Sequence, residues 1–511
     1  MVRRGSRKRL LAGKGGFSEV TLSSVCSCHR VNDGHTESHA DYCGELESDR
    51  PEEACGVFGI YSQHLDVARM TFFGLYSLQH RGQESAGIAT ADGESIYLHT
   101  RMGLVSQVFD EDVLQRLRGH IAIGHNRYST TGSSRACNAQ PILFESPYGP
   151  LALGHNGNLV NTSHLREELK GLGFEFASTT DSEVIGKAFC SAPGHTWVER
   201  IANTMPRLEG AYSLVLTTPR QLIAVRDPLG VRPLCLGRLN GGWVVASESC
   251  AVDTVGGQFV REIDPGEIIC IDESGVQSYR GQPSRIRATC VFEYIYFARP
   301  DSVIKKRLIY LARQEMGRQL ARQHPVEADL VIAVPDSATP AGIGYAQESH
   351  IPFAEGLIKS RYIGRTFIQP DQRIRQLGVN LKFNPLPEVL KGKRVIVVDD
   401  SIVRGNTTRP IVRLLRQAGA KEVHVRIHCP PMRHPCYLGV DTARRGELIA
   451  ARLTVPEIAE FIEADSLGYL GLENMMEAIG LPADEFCLAC FTGDYPVPVQ
   501  LELDKFSLER S

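Results

Sequence analysis

The sequence predicts two unlike domains in series: a layered α+β domain, then an α/β domain built on a parallel, doubly wound sheet. Two observations predict this order. From Cys55 to about Arg287 short strand-like runs crowd together with two clear helices among them, which suits stacked layers. Beyond the turn-rich stretch Tyr279-Arg-Gly-Gln-Pro-Ser-Arg285, strand and helix patterns alternate, as they do in a parallel sheet with crossover helices.

Residues 1–54 are polar, irregular and mixed in charge, and read as a leader. Cys26, Cys28 and Cys43 with His29 could in principle hold a metal, but their short spacing and the lack of a supporting pattern favour a disordered leader. In the first domain, strands are expected at 121–125, 151–155, 211–217 and 221–226. A helix at 163–172 follows Thr162 as its cap, and a second begins at Thr180-Asp-Ser-Glu183, a capping-box spacing. In the second domain, strands at 329–334, 394–398 and 422–427 alternate with helices at 338–348 and 408–418. From about Ala450 the chain reads as helical with a cysteine-bearing tail. The expected division is therefore 1–54, 55–287, 288–480 and 481–511.

Composition narrows the function. The 511 residues leave room for sizeable cores, and 42% hydrophobic with 23% charged residues is ordinary for a globular protein. The 56 basic and 59 acidic residues give a net charge of −3, so no bulk attraction to nucleic acid or an anionic membrane is implied. No apolar run is long enough to span a bilayer. The Arg-rich start lacks a signal-peptide core, and a transit function for it stays open; a cytoplasmic protein is expected. Fourteen cysteines do not fall into a disulfide framework, so reduced thiols with a few catalytic or metal roles are expected.

The most informative run is Val395-Ile-Val-Val-Asp-Asp-Ser-Ile-Val-Arg-Gly-Asn-Thr-Thr408. Four β-branched residues make a buried strand, Asp399 and Asp400 stand at its carboxyl end, and a Ser/Gly/Thr loop leads into a helix. In such sheets ligands lie beyond the strand ends, and a helix N-terminus offers N–H groups to a phosphate. Helix-capping acids are the plainer alternative. The run resembles the phosphoribosyl-pyrophosphate (PRPP) motif of type I phosphoribosyltransferases. That resemblance implies that Asp399 and Asp400 sit near the ribose hydroxyls and that Ser401, Ile402, Val403, Arg404, Gly405, Asn406 and Thr407 hold the 5-phosphate. Val334-Pro-Asp-Ser-Ala-Thr-Pro340 matches the pyrophosphate-side loop, where Ser337 would join the two acids around Mg²⁺. The basic run from Lys359 through Arg361 to Arg375 resembles the family's flexible loop, with Ser360 where Asn is frequent.

A second constellation starts at Cys55. Glu53-Ala-Cys-Gly-Val-Phe-Gly-Ile60 is followed by Gln79-His-Arg-Gly-Gln-Glu-Ser-Ala-Gly87, His125-Asn-Arg-Tyr-Ser-Thr-Thr-Gly132, His155-Asn-Gly-Asn158 and Thr180-Asp-Ser182. Splitting a glutamine amide needs a strong nucleophile, and Cys55 has no evident histidine partner in sequence. Freed as a chain terminus, its own α-amine would titrate near ~7.7–8.0 and serve as base. The blocks resemble the glutaminase domain of N-terminal-nucleophile amidotransferases, an αββα sandwich. The resemblance implies cleavage between Ala54 and Cys55 and an oxyanion hole from Asn156 and Gly157. It further implies a glutamine pocket made with Arg81, Gly82, Arg127 and Asp181. Asn126 departs from the family's usual Thr.

Taken together, the two sets of blocks resemble the amidophosphoribosyltransferase family over roughly nine-tenths of the chain. That implies a reaction of glutamine, PRPP and water giving 5-phosphoribosylamine, glutamate and pyrophosphate, opening purine synthesis. It also implies purine-nucleotide feedback inhibitors and a homotetramer. Cys487-Leu-Ala-Cys490 alone suits a redox pair or zinc. With Cys290 and Cys436 it matches the iron–sulfur subgroup, implying one structural [4Fe–4S] cluster per subunit. A PRPP-sensing nucleic-acid binder would need a basic face that the sequence lacks. An amidotransferase acting on a hexose phosphate would not need the Asp399–Asp400 motif.

Overall fold

The computed structural model describes residues 55–129, 133–284, 286–360, 383–440 and 444–499. The leader with its three cysteines, the basic run from Arg361 to Arg375, and the end of the tail lie outside the described residues.

The first half is two antiparallel sheets. One has seven strands: β1 (Gly56–Ser62), β2 (Ser85–Ala91), β3 (Ile96–Met102), β4 (Ile121–Arg127), β9 (Cys235–Leu239), β10 (Gly242–Ala246) and β11 (Gln258–Glu262). Their order is β11-β9-β10-β1-β4-β2-β3. The other has six: β5 (Ile142–Phe144), β6 (Leu151–Leu159), β7 (Gly210–Thr217), β8 (Leu222–Arg226), β12 (Glu267–Asp272) and β13 (Gly275–Arg280), ordered β13-β12-β8-β7-β6-β5.

Strand alternation sorts the side chains into layers. On β1, Val57 and Tyr61 enter the core between the sheets, while Phe58 and Ile60 join the core under the helix Val67–Ser77. On β6, Ala152 faces the inter-sheet core, and Leu151 and Leu153 face the helices Thr162–Gly171 and Asp181–Ser191. Helix, sheet, sheet, helix is the resulting layer order, the αββα sandwich expected.

Local differences have plain causes. Thr162 is the first helical residue and its hydroxyl donates to Leu159 O at 2.9 Å, leaving Asn161 at the cap position. Thr180 does cap its helix, accepting from Glu183 N at 3.3 Å, but the Glu183 carboxylate accepts from Ala177 N and Ser178 N, so the box does not close on itself.

The second half holds a four-stranded parallel sheet, β17 (Leu330–Ala333), β20 (Arg394–Asp399), β21 (Glu422–Ile427) and β22 (Ser466–Tyr469), in the order β17-β20-β21-β22. Val395 to Val398 are all buried, as a strand covered on both faces requires. The tail expected to be helical supplies β22, because Ser466-Leu-Gly-Tyr469 is too short and Gly-containing to show a strand period. The tail also packs into the main core of this half through Phe486 and Phe491. A parallel bridge of β14 (Thr289–Cys290) with β23 (Phe486–Cys487) ties it to the junction between the halves.

Candidate active sites

Cys55 stands immediately before β1, and a narrow pocket beside it is lined by Arg127, Tyr128, His155, Gly157 and Asp181 among others. The parity of β1 and β4 explains part of this convergence, since residues 55, 57, 125 and 127 share the inter-sheet side. The thiol donates to Tyr128 O at 3.3 Å and Tyr128 N donates to the sulfur at 3.4 Å. No side-chain base is hydrogen-bonded to it among the described residues. Burial pushes the Cys55 thiol up to about 12, against the pull of the Arg127 charge. A buried thiol in that range is not a thiolate at neutral pH, so it needs a base delivered to it.

Arg127 is buried, 3.5 Å from Glu84 Oε2, and donates to Ser133 O at 3.2 Å. Asp181, also buried, accepts from Leu159 N at 3.1 Å and lies 3.6 Å from His155 Nδ1. Burial opposes its charge, but His155 and the backbone N–H groups hold its carboxyl below the usual range. Glu84, Ser129, whose hydroxyl donates to the Glu84 carboxylate, and His155 were not anticipated; all three lie inside the quoted blocks but carried no signal apart from their neighbours.

Asn156 sits between two pocket-lining residues, and the β6 alternation puts it on the inter-sheet side. Among the described residues its Nδ2 and Oδ1, both buried, have no hydrogen-bond partner. Gly157 has φ +149°, and a Cβ there would lie 2.0 Å from Ala211 O, so no other residue fits. Asn126 is accounted for by its Nδ2, which donates to Leu75 O at 2.7 Å and ties β4 to the covering helix.

Arg81 is the departure. Its guanidinium does not line the Cys55 pocket but forms a buried network, bonding Glu248 through Nε and Glu293 through Nη1 at 3.3 Å and Nη2 at 2.5 Å. Burial opposes ionisation of Glu248, yet Arg81 and His80 hold its carboxyl well below the usual range. Gly82 packs on the Arg127 backbone, with 2.7 Å from an added Cβ to its carbonyl carbon. The Arg81–Gly82 pair therefore braces the pocket from behind, linking it to the second half through Glu293.

At the end of β20, Asp399 and Asp400 are buried side by side. Asp400 Oδ2 accepts from Ser337 Oγ at 2.6 Å, and its Oδ1 accepts from Ser401 Oγ at 2.8 Å. Asp400 N donates to Asp399 Oδ1 at 2.9 Å. Ile402 and Val403 turn into the core, with Val403 O accepting from Ile449 N at 2.8 Å, so only their backbone remains for a ligand. Arg404 pairs with Glu447 at 2.9 Å. Gly405 (φ +83°), exposed Asn406 and Thr407 lead into the helix Thr408–Gln417. Lys359 Nζ pairs with Asp336 Oδ2 at 3.1 Å beside the Ser337 loop, and Arg361 lies outside the described residues. Two further buried residues, not anticipated, lie near enough to feel the Asp400 charge. Buried Arg313 is pushed down to about 10 by burial, with Asp400 the main opposing charge. Buried His428 is pushed down to about 4 by burial, again against Asp400.

Cys290 and Cys487 are register partners in the β14–β23 bridge. Cys436 and Cys487 both act electrostatically on Cys290, as do all three others on Cys490, so the four thiols converge from three segments. Leu438 N donates to Cys436 Sγ at 3.3 Å. Among the described residues no group of three or more His, Cys, Asp or Glu is gathered at the spacing of a bound metal ion. No described helix is long and apolar enough to cross a membrane.

A half with a buried thiol at a narrow pocket is joined to a half with twin aspartates at the carboxyl end of a parallel strand, the layout of a glutamine-dependent phosphoribosyltransferase. The comparisons agree. Residues 125–254 match a glutamine amidotransferase domain model and residues 304–443 a phosphoribosyl transferase domain model. The chain is 56% identical over 458 residues to an amidophosphoribosyltransferase of Synechocystis sp., covering 88% of this chain and 92% of that protein. It is 51% identical over 466 residues to one from Synechococcus elongatus, covering 90% and 94%. A solved glutamine PRPP amidotransferase from B. subtilis, complexed with ADP and GMP, matches with a TM-score of 0.83 at 46% identity, covering 87% of this chain and 98% of that one. The chain belongs to the amidophosphoribosyltransferase family.

Proposed function

We propose that this chain makes 5-phosphoribosylamine from PRPP with ammonia released from glutamine at Cys55, opening purine synthesis. The observation that carries the reading is the convergence of Cys55, Arg127 and Asp181 in one pocket of a chain that also bears the Asp399–Asp400 ledge.

Arg127 would grip the glutamine α-carboxylate and Asp181 its α-amine. The thiol, too buried to ionise unaided, would pass its proton to its own α-amine once residues 1–54 are removed. The sulfur then attacks the amide, and Asn156 Nδ2 with Gly157 N–H would receive the developing oxyanion. Across the molecule, Asp399 and Asp400 would hold the ribose hydroxyls, and the 401–407 backbone the 5-phosphate. Two carboxylates with Ser337 form a hard-oxygen set of the kind Mg²⁺ uses beside a phosphorylated substrate, and the ion when bound would offset charge on departing pyrophosphate. Lys359, with Arg361, would neutralise the same leaving group.

The four convergent cysteines, with a backbone N–H already aimed at one sulfur, support a structural [4Fe–4S] cluster as the group they hold. Iron and acid-labile sulfide near four each per chain in anaerobically prepared protein are expected; zinc in their place contradicts the cluster. Division at 55–287, 288–480 and 481–511, a homotetramer, purine-nucleotide inhibition and a cytoplasmic setting complete the proposal.

The test pairs two variants. Cys55→Ser should abolish glutamine-dependent synthesis and keep synthesis from added ammonia, whereas Asp400→Asn should lose both while keeping glutamine hydrolysis. Ammonia-dependent synthesis surviving in Asp400→Asn removes the acids from the mechanism.

A further inference from the structure

Three consecutive residues of the transferase half touch the glutaminase half: Tyr437 and Gly439 meet the strand that carries the oxyanion donors, and Leu438 meets Arg232 beside it. Tyr437 O accepts from Asn158 Nδ2 at 3.0 Å. Leu438 O accepts from Arg232 Nη2 at 3.0 Å. Gly439 lies against Gly157 itself: a Cβ built on Gly439 would stand 2.9 Å from Gly157 C, 3.0 Å from Gly157 Cα and 3.1 Å from Arg232 Nη2.

None of these contacts is an accident of a mobile surface. Gly439 holds φ +99°, a conformation that side chains other than glycine's rarely adopt. Arg232 is fully buried, and its Nη1 lies 3.6 Å from Glu293 Oε1, inside the network that Arg81 and Glu248 complete. The segment is held from its other side as well, by Leu438 N on Cys436 Sγ and by the Tyr495 hydroxyl donating to Pro435 O at 2.6 Å.

An oxyanion donor acts only if it is fixed where charge develops, and a shift of a fraction of an ångström weakens it steeply. Gly157 has no side chain and holds a φ that other residues rarely adopt, so nothing of its own can fix it against its neighbours. Its far face is closed by Ala211 O and its near face by Gly439. We propose that Tyr437–Gly439 is a positioning segment for the glutaminase reaction: it sets the Gly157 backbone from the transferase side, so half of the oxyanion geometry is supplied by the other domain.

The inference rests on the functional reading above, and its test separates the two. Gly439→Ala, which drives a methyl into the Gly157 backbone, should lower kcat for glutamine-dependent synthesis about ten- to a hundredfold. The KM for glutamine should move less than about threefold, because Arg127 and Asp181 are untouched. Ammonia-dependent synthesis from PRPP, measured on the same preparation, should stay within about twofold of wild type. Asn158→Ala, which only deletes the tether to Tyr437 O, guards against a folding failure of the first variant and should show the same split at about three- to tenfold. Equal loss of both activities in Asn158→Ala, or unchanged glutamine-dependent kcat in both variants, overturns the positioning role. Wild-type protein inactive with both nitrogen donors would instead strike at the functional reading.

Discussion

Asn156 makes opposite demands on stability and catalysis, and Asn156→Leu exposes both. The amide is wholly buried, and among the described residues neither its nitrogen nor its oxygen has a partner. An unsatisfied buried polar group costs about 1–3 kcal/mol, so an apolar side chain of similar size should stabilise the fold by about that much. For a domain of this size each kcal/mol moves the midpoint by roughly 2–4 °C, so thermal unfolding should shift upward by several degrees. The same change removes an oxyanion donor, which is worth about 3 kcal/mol of barrier and lowers kcat for glutamine hydrolysis by at least about a hundredfold. Differential scanning calorimetry and an assay of glutamate release read the two effects on one sample. A variant that melts lower and hydrolyses glutamine at the wild-type rate refutes the reasoning, because the orphaned amide would then be neither a cost to the fold nor a catalytic donor.

Two further outcomes follow from buried charge. Glu293→Gln leaves Arg81 and Arg232 sharing too few anions in a dry network, and should cost about 3–5 kcal/mol in urea unfolding; a change under about 1 kcal/mol would mean that the network is solvated. Burial pushes the His125 imidazole down to about 3, while the unfolded chain takes up a proton near 6.5. The unfolded state therefore binds more protons between those values, and stability falls as pH drops from 6.5 towards 3. In His125→Gln the urea midpoint should fall less steeply over pH 6.5–4.5, and parallel slopes would assign the acid sensitivity elsewhere.

Much of the fold was legible because its periods are unbroken. Val395 to Val398 could only be a doubly covered strand, and the crowded short runs before residue 287 resolve into two stacked sheets. The strand Ser466–Tyr469 was not legible: four residues with a glycine show no period, and it is specified by pairing with β21. At the sites, the ordered blocks named Cys55, Arg127 and Asp181, which share one pocket. They misdirected Arg81, since a sequence cannot tell an arginine that faces a ligand from one buried against Glu248 and Glu293, more than 160 residues away. Arg313, His428 and the contact of Gly439 with Gly157 belong to the same class, made by tertiary packing between segments with no local signature.

The most direct test is the intact mass and N-terminal residue of the protein that hydrolyses glutamine. The active protein is expected to begin at Cys55, with activity appearing as residues 1–54 are lost. Full glutaminase activity in protein that still begins at Met1 would contradict it, because no α-amine would then stand beside the buried thiol.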